Sequence, residues 1–143
     1  MDNKEVLLYL ISRLGSKSEG RKKIMKMMFL LNHFDVDKNS LVKTPLLKED
    51  FIIYHYGVFS FDVMNNFLDL SNEGKVKGDF PVDIKTSEVP NIPLRIKEKV
   101  DLIVNQFGND NGKNLELNTL SMLGLDLDSK RKYFGESVTN FIK

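Results

Sequence analysis

The sequence predicts a compact, mainly α-helical domain with a small β-hairpin or sheet and with elements in winged-helix order. Three observations carry that expectation. Apolar residues recur at helical spacing over most of the chain, and one short aromatic and β-branched run, Phe51–Tyr56, interrupts them. The helix predicted behind that run is followed by a lysine-bearing hairpin that opens at Gly74. With 143 residues, the chain is expected to form a single domain over 1–143.

Val6, Leu7, Leu10, Ile11 and Leu14 predict a first helix over about 3–14, with Gly15 as its C-terminal cap. Ser16–Gly20 is small and polar and reads as a turn. A second helix is predicted from about Arg21 to His33. Ile24, Met25, Met27, Met28, Phe29, Leu30 and Leu31 leave it almost no polar face beyond its first turn, the pattern of a helix buried on most sides. It is expected at the centre of the core, its methionines filling irregular gaps.

Asp35–Pro45 reads as a loop, and Phe51–Tyr56 as a strand ended by Gly57. Ser60 is placed to cap a third helix, with Asp62 in its first turn, a buried stripe of Phe61, Met64, Phe67 and Leu68, and Gly74 as its end. Lys75–Lys85 reads as a hairpin around Gly78-Asp79, with Pro81 at an edge or bulge. Pro93 suits the first turn of a fourth helix, whose stripe is Ile96, Val100, Ile103, Val104 and Phe107. Leu117, Leu120 and Leu123 predict a short helix, and Phe134, Val138, Phe141 and Ile142 a last one starting after Asp128.

Charge and composition exclude several functions. Net charge is +1, from 21 basic and 20 acidic residues, so no global basic field drives non-specific nucleic-acid binding. The absence of cysteine removes disulfides, thiolate metal sites and cysteine nucleophiles. The apolar run Val6–Ile11 is too short for a signal peptide or a membrane span, and a cytoplasmic protein without a membrane partner is expected.

No phosphate loop, zinc-protease helix, nucleophile elbow or calcium loop occurs, so an enzyme is not expected, nor a cofactor or metal. His33 reads as a helix-end histidine that Asp35 could orient. His55 is expected to point away from Tyr54 and Tyr56 on its strand, either toward a partner or half-buried. Adjacent Glu49 and Asp50 read as solvated.

The basic residues raise a DNA-binding alternative. Arg21, Lys22, Lys23 and Lys26 at the start of the second helix could meet phosphates, while Lys75 and Lys77 on the hairpin reach flanking backbone as a wing does. Against it, the helix after Ser60 offers Asp62, Asn65, Asn66 and Asp69, an acidic set poorly suited to a major groove. A continuous positive surface from Lys22 to Lys77 would favour DNA. An exposed apolar patch at Tyr56 and Phe59 would favour a protein partner.

The hydrophobic helix with Lys23-Ile-Met-Lys-Met-Met-Phe-Leu-Leu31, the strand ending Tyr54-His-Tyr-Gly57, the helix after it and Gly74-Lys-Val76 resemble the Panacea domain of SocA-like antitoxins and phage-associated proteins. YwgA-like proteins are similar to that family. The resemblance spans about residues 5–85. It implies a small, mainly helical, non-catalytic module that neutralises a toxin or delivers a protein for proteolysis. Carried over residue by residue, it points to Tyr56 and Tyr54 as core or contact residues and to Gly57 as a structural turn. Val58 stands where the family usually has proline, which leaves that turn without ring constraint.

Overall fold

Burial of the methionine-rich segment organises the molecule. The computed structural model describes residues 2–143. In it the helix α2 (Arg21–His33) is buried at every position from Lys23 to His33. Around it pack α1 (Asn3–Leu14), α3 (Phe61–Asn72), α4 (Leu94–Phe107) and α5 (Gly112–Met122), with α1 bridging α3 and α4 and α5 lying along α2. A short α6 (Ser129–Lys132) follows.

Local chemistry sets the helix ends. The Asp2 carboxylate accepts from the Lys4 amide at the start of α1, Ser60 Oγ accepts from the Val63 amide at the start of α3, and Asn111 does the same for Asn114 in α5. Of the predicted stripe of α4, Ile96, Val100, Ile103 and Phe107 are buried and Val104 is partly buried against them. That of α3 differs. Val63, Phe67 and Leu70 face inward, whereas Phe61 and Leu68 are exposed. The inward set also repeats at helical spacing, and the hairpin ahead of Ser60 fixes the rotation of the helix in its favour.

The strands form three separate antiparallel pairs, where one small sheet was expected. The first, β1 (Phe34–Asp35) with β2 (Ser40–Leu41), occupies the segment read as a loop. Asp35 Oδ1 accepts from the Lys38 amide and Asn39 takes a positive φ of 51°, so polar side chains supply the turn without glycine. The second pair is β3 (Ile52–Tyr54) with β4 (Gly57–Phe59), in register Ile52 to Phe59, Ile53 to Val58 and Tyr54 to Gly57. Gly57 therefore begins a return strand, and His55 and Tyr56 form the turn. The third is β5 (Val76–Lys77) with β6 (Asp83–Ile84), the hairpin predicted behind α3. Pro81 sits in its connecting loop, on neither strand.

The predicted final helix resolves into α6 and a segment that runs beside β3. Gly135 donates to the Ile53 carbonyl, Ile53 to the Glu136 carbonyl and Val138 to the Phe51 carbonyl. This segment fixes the outer edge of the hairpin that carries the site residues.

Two glycines lie where the elements around the hairpin meet. Gly57 has φ 88°, and a Cβ there would lie 3.2 Å from Glu116 Cγ and 3.5 Å from Leu120 Cγ. Gly57→Ala is expected to cost about 1–2 kcal/mol, read as a lowered denaturant midpoint with unchanged slope. A Cβ on Gly20 would meet the Asp79 carbonyl and the Phe80 ring at 2.8 Å each, so the β5–β6 loop lies directly on the start of α2.

Candidate functional site

The β3–β4 hairpin displays a continuous row of rings, because Ile53 and Val58 turn inward to the core and their neighbours must turn outward. Tyr54 is the centre of the row. Its ring stacks on Phe59 at 4.9 Å and on Phe134 at 4.9 Å, with interplanar angles of 25° and 23°. Phe61 meets Phe59 edge-on at 5.0 Å and Tyr54 at 5.5 Å. The His55 ring lies 4.6 Å from Tyr54 and 5.1 Å from Phe134. This corrects the expectation that His55 faces away from Tyr54: strand alternation does not apply to a turn residue.

The row is open to solvent at both ends. Phe61 is 54% and Phe134 48% exposed, and Tyr56 at the hairpin tip is 64% exposed with Lys22 Nζ 5.1 Å from its ring centroid. Of the predicted partner residues, Tyr54, His55 and Phe59 thus share one surface with Tyr56 beside them. Phe61 and Phe134 were not foreseen in this role. Phe61 reads as an inward helix position, and Phe134 reaches the row only through the backbone pairing of the C-terminal segment with β3.

Between this hairpin, the first turns of α2 and the β5–β6 loop lies a cleft of about 500 Å3. Met25, Met64, Phe80 and the inner edges of Tyr54, Tyr56 and Phe59 supply its apolar walls, and Lys26 lines it as well. Lys26 is only 2% exposed and its Nζ donates to the Val58 carbonyl at 3.0 Å. Burial pulls its pKa down to about 7, opposed by the negative charge of Glu116 and aided by Lys22 and Lys130.

The structure corrects the expected basic face in the same region. Lys23 is as buried as Lys26, its Nζ donating to the Gly108 carbonyl at 2.7 Å, and burial lowers its pKa too. Helix α2 is enclosed from Lys23 onward, so neither ammonium stands on a solvated surface. Arg21 pairs with Asp79 at 3.4 Å, and Lys22 with the buried Glu116 at 2.7 Å. Lys75 lies within 4.0 Å of Glu5, Glu73 and Glu88. Lys77 alone of the six is exposed with no ion pair among the described residues.

No family model, curated protein or solved structure matches this chain. The site therefore rests on its own geometry.

Two further groups depart from expectation. Glu49 is buried, 1% exposed, where a solvated side chain was expected. It accepts from Asn32 Nδ2 at 2.9 Å and from Asn66 Nδ2 at 3.3 Å, and burial pushes its pKa up to about 7. The fold turns Glu49 inward onto Asn32 and Asn66 and leaves Asp50 exposed. His33 lies against the Val42 carbonyl at 2.8 Å, which takes the place of the Asp35 partner that the sequence suggested. Among the described residues no cluster of three acids or histidines is arranged to hold a metal, and no helix is long and apolar enough to cross a membrane.

Proposed function

We propose that the chain is a non-catalytic protein-binding module, antitoxin-like or adaptor-like, whose partner seats on the aromatic row of the β3–β4 hairpin. The carrying observation is that stacked row, from Phe134 through Tyr54 and Phe59 to Phe61, held rigid by strand pairing on both sides of β3 and exposed at its ends. Contiguous exposed rings on a fixed backbone offer large contact area at small entropic cost, the property of interface anchors. The resemblance to the Panacea domain supports the choice of partner class, a toxin or a protein passed on for proteolysis. The DNA-binding alternative has less support, because five of the six cations it needs, all but Lys77, are buried or already paired with carboxylates.

Co-expression with the product of an adjacent gene tests the reading. The expected result is co-purification with that product, together with either rescue of growth from it or a shortened lifetime of it. Phe61→Glu with Phe134→Glu is expected to weaken capture by about thirtyfold or more while leaving helix content unchanged, since both rings are half-exposed. Absence of capture and of rescue with every neighbour would remove the proposal.

A further inference from the structure

The cleft beside the hairpin combines two properties that call for a particular ligand. Its walls are aromatic and thioether, from Tyr54, Phe59, Phe80, Met25 and Met64, and its volume of about 500 Å3 suits a small organic molecule. Lys26 in that wall carries three donors as an ammonium, and one of them is used, on the Val58 carbonyl. Among the described residues no other acceptor lies within hydrogen-bond distance of its Nζ. A buried cation with donors to spare beside an apolar space is stabilised by an anion that brings its own apolar body. Lys22, Arg21 and Lys113 also line the cleft, against Glu19 and Asp79, so the balance of charge around it favours an anion as well.

We propose that this cleft binds a small aromatic or aliphatic carboxylate, with the carboxylate on Lys26 Nζ and the apolar body between Tyr54, Phe59 and Met64. The site goes beyond the partner surface, since it needs no protein partner to be measured. The charges that act most on Lys26 are Lys22 on its own helix, Glu116 on α5 and Lys130 on α6, and the cleft beside it is lined further by Glu19, Arg21, Lys23, Tyr54, His55, Tyr56, Asp79 and Lys113. Because burial already holds Lys26 near neutrality, an anion that binds its charged form draws a proton onto it. Binding is therefore expected to weaken as the solution becomes alkaline.

Calorimetry with phenylpropionate, and with phenylpropanol as its uncharged counterpart, tests this. At about pH 6 the carboxylate is expected to bind at least about tenfold more tightly than the alcohol, and to lose most of that advantage by about pH 9. Lys26→Met is expected to abolish the preference and its pH dependence. Met64→Trp fills the cleft, leaves Lys26 in place and is expected to remove binding of both compounds. Equal affinity for acid and alcohol, an undiminished preference in Lys26→Met, or unchanged binding in Met64→Trp each overturns the proposal. Capture of a protein partner by a variant that binds no carboxylate would separate this site from the hairpin surface.

Discussion

Lys26→Met is expected to stabilise the protein by about 3 kcal/mol at neutral pH. The ammonium is 2% exposed, and burial lowers its pKa from 10.5 to about 7. Below pH 10.5 the unfolded chain takes up this proton and the folded chain resists until about pH 7, so stability falls over that interval and is flat beneath it. The full gap corresponds to about 5 kcal/mol at one tenfold step per pH unit. Methionine matches the shape of the stem and carries no charge. It leaves the Val58 carbonyl without its donor, which returns about 1–2 kcal/mol of the gain. Denaturant melts at several pH values check the expectation, with a midpoint advantage that grows from about pH 10 to about pH 7 and then levels. Lys23 and Lys99 are also lowered by burial, but they are common to both proteins and cancel in the difference. A variant less stable than the parent at neutral pH would show that the ammonium is satisfied where it lies.

The same residue shows where the sequence was legible and where it was not. The run Ile24–Leu31 announced a buried helix, and that is what α2 is. Its lysines, however, carry no such signal, since a lysine near a helix start usually lies in water. Enclosure of α2 by α5, by the β3–β4 hairpin and by the β5–β6 loop reverses that, and each of these contacts joins residues far apart in the chain. The helix caps at Ser60 and Gly15 and the α4 stripe were legible because they depend on neighbours within a turn or two. Tyr54, Tyr56 and Phe59 were marked by the aromatic run itself. Phe134 and Phe61 were not, because one arrives by long-range pairing with β3, which leaves no periodic trace, and the other by the rotation of α3, which two stripes of helical spacing leave open.

Glu49→Gln is expected to match the parent in acid and to exceed it by about 3 kcal/mol above neutrality. The folded protein holds the Glu49 proton to about pH 7 against an ordinary value of 4.5, chiefly through burial, with Asp62 pushing in the same direction. Stability from this group is complete below pH 4.5, is lost as pH rises to about 7, and stays lost beyond. Glutamine keeps the geometry of the protonated acid. Its oxygen can accept from Asn32, whose amide is fixed by donation to the Met28 carbonyl and acceptance from the Leu47 amide. Its nitrogen then faces Asn66, which is half-buried and can turn its amide over to accept. Asn32→Ala should behave differently, losing about 2–3 kcal/mol in acid and more above neutrality, because it strips the Leu47 amide and Glu49 of partners together and the lost bond to Glu49 favours the ionised carboxylate. His33, whose buried ring resists protonation, removes stability on the acid side in parent and variant alike and so cancels in their difference. The Glu49 and Lys26 effects have opposite slopes that meet near pH 7. Their contributions therefore place a dip in the stability of the parent close to neutrality, and the double variant should lose that dip, which urea midpoints across the pH range would show directly.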